Sequence, residues 1–363
     1  MNKKIKIRKD LKNWQEYIPV QSAERISLDK KIEIDQIDKL DAGENVYGPS
    51  PRVQKKLFQF KGYQFYPDPE YCQLRKEISR YAKVKEQQVF VSNGADEIID
   101  LILRLILNVG DEVIDCLPTF SSYSLSTILN RGVLKVIKRK KDFSIDEDMI
   151  IRAITKKTKV IFICNPNNPT GTITSIGNIQ KILKKDVLVC IDEAYIEFGG
   201  ESVVSLLDNY SNLVVIRSFS KWAGIAGLRL GYGLMDERLV GELMKIKPPY
   251  NVNYAAVIAG IAALQDSTYR KETVKTIINE RNKMEKQITA LDSYVVFPSS
   301  GNFIYVQTTK KQLENIKKEC KRRNVSLRFY DLQNGGAIRI TVGTPIQNRG
   351  IVNILKNIYE KII

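Results

Sequence analysis

Short apolar runs rich in Val and Ile recur between helical stretches from residue 89 to about residue 234. The runs are continuously apolar and lack the alternation of a strand with one side in water, so they predict strands covered on both faces. The predicted strands are Val89–Val91, Glu112–Cys116, Leu134–Lys138, Val160–Cys164, Val187–Ile191, Val214–Arg217 and Arg229–Gly233. This pattern is typical of an α/β domain, in which helices cover a central sheet.

The stretch Ile98–Leu107 is apolar nearly all round and predicts a helix buried within this domain. Asp96 and Glu97 would lie in its first turn, where acidic side chains favour a helix start, and Gly110 lies just past its end. The turn-forming residues 165–171, Asn-Pro-Asn-Asn-Pro-Thr-Gly, predict a loop directly after a strand.

The pattern changes after about residue 266. The predicted elements there are a helix Ser267–Leu291, strands Tyr294–Phe297 and Asn302–Val306, a helix over 310–323, strands Ser326–Phe329 and Ala337–Val342, and a closing helix from about Gln347. Helices against a few strands indicate an α+β unit. We therefore predict a large domain at residues 47–265 and a small domain formed by residues 1–46 and 266–363.

The composition removes a whole set of mechanisms, because none of the 363 residues is a histidine. A Ser-His-Asp triad, a zinc ion held by histidine and an imidazole base are all excluded. Proton transfer in an enzyme of this composition must fall to Lys, Tyr, Cys or a carboxylate. The sequence predicts no metal site.

The chain carries 57 Lys and Arg against 41 Asp and Glu, a formal net charge of +16. Such an excess attracts anions, which include phosphorylated metabolites and nucleic acid. The basic residues are scattered, however, and the dense run Lys138–Lys141 is followed at once by Asp142. This distribution is typical of a solvated, lysine-rich surface.

The five cysteines form no Cys-x-x-Cys pair and no recurrent spacing; they are Cys72, Cys116, Cys164, Cys190 and Cys320. Such usage is typical of reduced thiols in a cytoplasmic protein. The N-terminal sequence lacks the apolar core of a signal peptide, and no segment approaches the roughly 18 apolar residues that span a bilayer. The sequence therefore predicts a cytoplasmic protein with no membrane partner.

A lysine in a loop of small residues carries the most specific chemical signal. Residues 218–233 read Ser-Phe-Ser-Lys-Trp-Ala-Gly-Ile-Ala-Gly-Leu-Arg-Leu-Gly-Tyr-Gly. Burial and a neighbouring cation lower the pKa of a lysine, which suits Lys221 to condense with a carbonyl cofactor. Ser218 and Arg229 are suited to hold the phosphate of such a cofactor, since arginine pairs bidentately with phosphate.

Further polar residues follow predicted strands at their carboxyl ends, where open α/β sheets bind ligands. Asp192 and Glu193 come directly after one strand, and a carboxylate there can pair with a pyridinium nitrogen. Tyr195, three residues beyond Asp192, can reach a ring oxygen, and Asn168 can donate to the same oxygen. Residues 92–97 join a strand to a helix, so the amides of the first helical residues would point at an anion.

Four motifs in this order resemble those of the fold-type I, aspartate-aminotransferase-like pyridoxal-phosphate enzymes. They are Gly-Ala-Asp-Glu at 94–97, the loop 165–171, Asp-Glu-Ala-Tyr-Ile-Glu-Phe at 192–198, and residues 218–233. The resemblance runs from about residue 20 to the C-terminus. It implies a mixed, mostly parallel seven-stranded sheet between helices, a smaller α+β domain, pyridoxal 5'-phosphate as cofactor, and a homodimer.

Other segments resemble more narrowly the histidinol-phosphate aminotransferases of this family. They are residues 40–49, 66–69, 301–304, 327–328 and 338–343. Two positions depart from the family pattern. Residues 43–46 read Gly-Glu-Asn-Val where the family more often has Asn-Glu-Asn-Pro, and Phe120 stands where a tyrosine often stacks on the cofactor ring.

The resemblance implies a role for each matching residue. Lys221 would condense with the cofactor and carry a proton, Asp192 would keep the pyridine nitrogen protonated, and Tyr195 would hold the ring hydroxyl. The implied cofactor-binding residues are Gly94, Ala95, Asp96, Phe120, Asn168, Asp192, Tyr195, Ser218, Ser220, Lys221, Arg229 and, from the second subunit, Tyr66. The implied substrate-binding residues are Asn45, Tyr47, Asn302, Arg328 and Arg339.

The implied reaction moves the amino group of histidinol phosphate to 2-oxoglutarate, giving imidazole acetol phosphate and glutamate in histidine biosynthesis. Arg328 and Arg339 match the family positions near the substrate phosphate and carboxylate. An aromatic or broad-specificity aminotransferase and a threonine-phosphate decarboxylase remain as alternatives. A nucleic-acid-binding or cofactor-sensing regulator would need an N-terminal winged helix, for which the residues before the matched region are too few.

Overall fold

The computed structural model describes residues 5, 6, 8, 11 and 19–360, within which the chain forms thirteen strands and twelve α-helices. The strands are β1 Asp38–Lys39, β2 Val89–Ser92, β3 Glu112–Leu117, β4 Val133–Lys138, β5 Thr158–Cys164, β6 Leu188–Asp192, β7 Leu213–Ser218, β8 Gly231–Met235, β9 Val295–Phe297, β10 Phe303–Thr308, β11 Val325–Ser326, β12 Arg328–Leu332 and β13 Gly335–Thr341. The helices are α1 Ala23–Lys30, α2 Pro51–Gln59, α3 Cys72–Ala82, α4 Ala95–Ile106, α5 Ser122–Leu129, α6 Glu147–Ala153, α7 Ile176–Leu183, α8 Glu237–Ile246, α9 Tyr254–Gln265, α10 Ser267–Thr289, α11 Lys310–Arg322 and α12 Pro345–Glu360.

The large sheet has seven strands in the order β2-β8-β7-β6-β5-β3-β4. Strand β8 is antiparallel to both of its neighbours, and the other neighbouring pairs are parallel. The carboxyl ends of the parallel strands therefore meet at one edge of the sheet. The predicted mixed, mostly parallel seven-stranded sheet is confirmed.

The two faces of this sheet carry separate hydrophobic clusters, as β5 shows. Val160 and Phe162 pack into one cluster, whereas Ile161 and Ile163 pack into the other. All four side chains are buried. Because side chains alternate between the faces of a strand, a continuous apolar run fits a strand with no solvent-facing side. The expectation of a sheet covered on both faces is confirmed.

Most predicted strands differ from the observed ones by one or two residues at an end, and two of the differences have a clear structural cause. The strand predicted to begin at Arg229 begins at Gly231, because Arg229 has a left-handed backbone (φ 56°) that ends a short 3-10 turn. The strand predicted at Ser326–Phe329 is divided: β11 pairs with β1, and β12 joins another sheet. The helix expected at Ile98–Leu107 starts earlier, as α4 at Ala95.

Side chains at the helix starts explain several of these bounds. Ser50 caps α2 by accepting a hydrogen bond from the amide of Val53, and Pro51 occupies the first turn, where no amide donor is needed. Thr309 and Gln312 form a reciprocal capping box at the start of α11.

The small sheet has four antiparallel strands in the order β12-β13-β10-β9. Its core joins these strands to α10, α11 and α12, and Leu40 of the N-terminal segment packs into the same cluster. The division into domains at residues 47 and 266 stays a prediction. Residues 1–4, 7, 9, 10, 12–18 and 361–363 of the predicted small domain lie outside the described residues, as does most of the N-terminal sequence judged not to be a signal peptide. Among the described helices, none combines the length and apolarity needed to cross a membrane.

Candidate active site

Three neighbouring strands bring polar side chains to one edge of the large sheet. β6 ends at Asp192, β7 ends at Ser218, and the loop after β5 carries Asn168. The N-terminal residues 41–45 approach the same edge through contacts with Lys221 and Arg339. The candidate site therefore lies between the large sheet and the small sheet.

Asp192 is a buried carboxylate with two hydrogen-bond donors. Its Oδ2 accepts from the Tyr123 hydroxyl at 2.6 Å, and its Oδ1 accepts from the amide of Ala194 at 2.9 Å. Burial raises the pKa of Asp192 to about 6, and the Tyr123 hydrogen bond opposes that rise. The carboxyl group therefore remains mostly ionised at neutral pH and can face a cationic partner.

Lys221 lies in the loop after β7, and its Nζ donates to the carbonyl of Ala42 at 2.9 Å. The Nζ atom also lies 5.4 Å from the centre of the Tyr195 ring. Burial, together with the nearby charge of Arg339, lowers the pKa of Lys221 to about 8. An amine with this pKa is partly neutral near pH 7, which is the form that attacks a carbonyl.

The start of α4 and Arg229 form a cationic corner suited to a phosphate. Gly94 precedes the helix with φ 78°, and a Cβ atom there would lie 2.7 Å from Arg229 Nη2. Arg229 Nη2 donates to Asp96 at 3.2 Å, and both side chains remain about half exposed. Close by in the chain, the Ser218 hydroxyl accepts from the Ser220 amide. Helix N-termini and arginine both favour anions.

Hydrogen bonds connect residues 41–45 to the small sheet and to the lysine loop of the large sheet. The Gly43 amide donates to the Thr341 hydroxyl, and its carbonyl accepts from Asn302 Nδ2 at 2.9 Å. Asn45 donates to the carbonyl of Trp222, the residue after Lys221, and accepts from the amide of Tyr47. Asn45 thus ties this segment to the lysine loop, and its predicted contact with substrate stays a prediction.

Arg328 and Arg339 are directly opposite each other on the antiparallel strands β12 and β13. Directly opposite side chains share one face of a sheet, and like charges in that arrangement are destabilising without an anion. Arg339 donates through Nη1 to Asn168 Oδ1 at 2.6 Å and through Nη2 to the Asp41 carbonyl. Arg339 therefore contacts the loop after β5, and the substrate-binding roles of both arginines stay predictions.

Other predicted residues have contacts of a different kind. Tyr66 is 78% exposed and stacks on Tyr250, and no contact among the described residues links it to Lys221 or Asp192. Phe120 packs edge-on against Tyr123 at 5.7 Å. Glu193 does not share the site of Asp192, because it forms a fully buried ion pair with Arg217 at 2.8 Å. Their proposed roles are considered below.

Comparison with known proteins places this geometry in a family. The family model of the class I and II aminotransferases matches residues 35–355 of this chain. The chain belongs to the class I and II aminotransferases. A histidinol-phosphate aminotransferase of Dehalococcoides mccartyi is 39% identical over 99% of both chains, and a chloroplast enzyme of that name from Arabidopsis thaliana is 37% identical over 97% of this chain and 86% of its own. Within the class, the chain therefore belongs to the histidinol-phosphate aminotransferase family.

A solved structure has the same fold along the whole chain. The histidinol-phosphate aminotransferase of Sinorhizobium meliloti, crystallised with pyridoxal 5'-phosphate, matches with a TM-score of 0.89 at 21% identity and covers 100% of both chains. Aminotransferases of this class depend on pyridoxal 5'-phosphate, which is therefore the cofactor of this chain.

The residues of this aminotransferase fit that cofactor. A side chain at Gly43 would come within 3.5 Å of Lys221 Nζ, Tyr195 OH and Asn302 Oδ1, so the glycine leaves space beside the amine. Asn302 Oδ1 is buried and has no partner among the described residues. Buried polar atoms of this kind normally bind something, which marks the space as a ligand site.

Sequence reasoning missed Tyr123 in this aminotransferase. Its hydroxyl reaches Asp192, yet it stands three residues after Phe120 in a stretch with no polar motif. Nothing in the sequence connects this residue with Asp192, which lies 69 positions away.

Proposed function

We propose that this aminotransferase transfers the amino group of histidinol phosphate to 2-oxoglutarate, forming imidazole acetol phosphate and glutamate. The observation that carries the proposal is the pair Arg328 and Arg339, which lie opposite each other on β12 and β13, with Arg339 bonded to Asn168. A donor with a phosphate and an acceptor with a carboxylate both need arginine at this position. Relatives of that name at 36–39% identity support the same reaction.

Lys221 is the proposed nucleophile and proton carrier. When bound, pyridoxal 5'-phosphate supplies a carbonyl that receives the amino group and a ring that withdraws electrons. With a pKa of about 8, roughly a tenth of the Lys221 amine is neutral at pH 7, far more than for an ordinary lysine. The neutral Nζ can take the proton from Cα of the donor and later return it. The chain contains no histidine that could do this instead.

The remaining polar side chains orient the ring and its phosphate. Asp192, mostly ionised at neutral pH, would hold a proton on the pyridine nitrogen. Tyr195 and Asn168 would bind the ring hydroxyl, and Phe120 would cover one face of the ring. The implied phosphate-binding group consists of the amides at the start of α4 together with Ser218, Ser220 and Arg229.

The deciding experiment compares kcat/KM for histidinol phosphate, histidinol, phenylalanine, tyrosine and threonine phosphate with 2-oxoglutarate as acceptor. We expect histidinol phosphate to be preferred over phenylalanine by at least about tenfold, which is about 1.4 kcal/mol of transition-state binding. A preference for phenylalanine would make the protein an aromatic aminotransferase. Release of carbon dioxide from threonine phosphate would identify a decarboxylase.

We further propose a homodimer in which Tyr66 completes the phosphate site of the second subunit. An exposed aromatic surface supports it: Phe58, Tyr63, Phe65, Tyr66 and Tyr250 are 41–83% exposed. Apolar surface of this kind marks interaction sites.

Light scattering should give the mass of two chains. Mixed dimers of Tyr66→Phe and Lys221→Ala chains should exceed both parents in activity, because one of their two sites is then intact. A fully active monomer would disprove the shared site.

We also propose that the enzyme works in the cytoplasm and does not bind nucleic acid. The five cysteines, all within the described residues, are free, and four of them are buried. A nucleic-acid pull-down with a steep salt dependence would contradict the second point.

A further inference from the structure

Tyr123 and Asp192 form a short polar contact in the candidate site, although no motif predicted it. The hydroxyl-to-carboxylate distance of 2.6 Å is typical of a hydrogen bond to an ionised acceptor. Both side chains are almost fully buried, at 0% and 3% exposure. A contact of this length in the interior is worth more than on the surface, because water does not compete for either group.

The Tyr123 ring is held from two sides. It stacks on Phe162 with a centroid distance of 4.8 Å and an interplanar angle of 3°, and it meets Phe120 edge-on. Phe162 lies on β5, an inner strand of the large sheet, so the ring has a rigid support. The hydroxyl is thereby fixed in front of Asp192.

We propose that Tyr123 is a positioning residue that keeps the Asp192 carboxylate ionised and oriented for the pyridine nitrogen. The second half of this statement rests on the proposed function, because Asp192 must be the partner of that nitrogen.

The charge balance around Asp192 explains why the phenol is needed. The titratable groups that face Asp192 are Tyr123 on α5, Cys164 on β5, Cys190 on its own strand, Tyr195, Asp96 at the start of α4, and Lys221. Burial raises the pKa of Asp192 and Asp96 raises it further, whereas the hydrogen bonds from Tyr123 and Ala194 and the charge of Lys221 lower it. The Tyr123 hydrogen bond is the larger of the two that do so.

Tyr123 can act as a donor at any physiological pH. Burial and the neighbouring Asp192 raise the pKa of its phenol well above the usual value, so the proton stays on the oxygen. Without this donor, Oδ2 would keep no partner among the described residues, since the Ala194 amide bonds to Oδ1. An unpartnered buried carboxylate oxygen takes up a proton more readily.

The test compares Tyr123→Phe with Tyr294→Phe. Tyr294 is also buried and also loses one hydrogen bond, to the carbonyl of Leu355, but it lies in the core of the small sheet. In the apoenzyme, carboxyl NMR titration should show the acid dissociation constant of Asp192 falling at least about tenfold in Tyr123→Phe and unchanged in Tyr294→Phe.

The holoenzyme supplies the second readout. The pH at which the absorbance of the bound cofactor changes should shift in Tyr123→Phe, and kcat should fall more than KM changes. An unchanged Asp192 titration in the folded apoenzyme overturns the proposal. A shifted titration with an unchanged cofactor spectrum overturns instead the proposed pairing of Asp192 with the cofactor.

A second variant serves if Tyr123→Phe does not fold. Site-specific 3-fluorotyrosine at position 123 keeps the ring and makes its hydroxyl a stronger donor. The Asp192 dissociation constant should then rise, and a constant value would overturn the proposal.

Discussion

The two walls of the site are built in different ways. The cofactor wall consists of strand ends and a helix start, at Asp192, Ser218 and Ala95, whose positions follow from the large sheet. The substrate wall joins the irregular segment 41–45 to the small sheet, through contacts between residues up to 298 positions apart. Local sequence motifs therefore determine the first wall, whereas the second depends on how distant parts of the chain pack.

The largest effect is expected at the cofactor wall, from Lys221→Ala. We expect turnover to fall by at least about four orders of magnitude, because no other amine occupies the loop after β7 to move the proton. The measurement is kcat together with retention of the cofactor, which should still bind through its phosphate and ring contacts. Lys221→Arg is the matched control: it keeps a charge that cannot be lost, and it should be equally inactive. Near-normal turnover in either variant would contradict the role of Lys221.

The next effect tests the substrate wall. Arg339→Lys keeps the positive charge but loses the planar guanidinium, which can donate two hydrogen bonds to one carboxylate. We therefore expect kcat/KM for 2-oxoglutarate to fall about ten- to a hundredfold. Arg328→Lys, its neighbour on β12, should lower kcat/KM for histidinol phosphate more than for 2-oxoglutarate. Equal losses with both substrates in both variants would show that the arginines do not divide the two anions between them.

A pH experiment links the two walls through Lys221 and Arg339. The neutral amine is the reactive form, so the rate at which apoenzyme captures cofactor should rise with pH to a plateau above about 8. Because the Arg339 charge helps to lower this pKa, Arg339→Gln should move the inflection to higher pH and slow capture at pH 7. The measurement is the capture rate from pH 6 to 10 in both proteins. If the capture rate of the unmodified enzyme instead had its inflection near the pKa of an ordinary lysine, the lowered pKa of Lys221 would be contradicted.

The smallest effect is expected at Gly43. Its φ of 66° suits glycine and is tolerated by asparagine, and a Cβ atom would contact Tyr195, Asn302 and Lys221 at 3.4–3.5 Å. Gly43→Asn should therefore fold and change the preference among amino donors by about two- to tenfold, on the order of 1 kcal/mol. Gly43→Val is the control for backbone strain and should lower stability by about 1–3 kcal/mol. Identical donor preferences in Gly43→Asn and the unmodified enzyme would show that the space beside the amine does not select substrates.

The difference between the two walls also explains how much of the structure the sequence could predict. Continuous apolar runs located all seven strands of the large sheet, and Asp192 and Lys221 were predicted from their places after two of them. The start of β8 was misplaced because nothing in the sequence reveals that Arg229 takes a left-handed backbone. Glu193 was placed beside Asp192, yet adjacent residues of an extended chain point to opposite sides.

Contacts within the substrate wall had no local signal. The bonds of Asn302 to Gly43 and of Arg339 to Asn168 join residues 259 and 171 positions apart. Of these residues, Asn302 and Arg339 were predicted only through the resemblance to a family, and neither of the two bonds was predicted. Tyr123 was predicted neither from a local motif nor from the family resemblance, because it matches no motif and its partner Asp192 lies 69 residues away.

The separation of Asp41 from Arg339 by 298 positions also has a consequence for protein synthesis. Residues 41–45 leave the ribosome long before β13 is translated, and the Thr341 hydroxyl that bonds to Gly43 is made later still. The strands of the large sheet are all complete by Met235, so that sheet can assemble on a nascent chain, as domains commonly do. A polypeptide interrupted before residue 339 would still carry Lys221 and Asp192 but would have neither Arg339 nor Thr341, and so would lack the two bonds that these residues make to Asp41 and Gly43. Under the role proposed for Arg339, a catalytically competent enzyme exists only after the last stretch of translation.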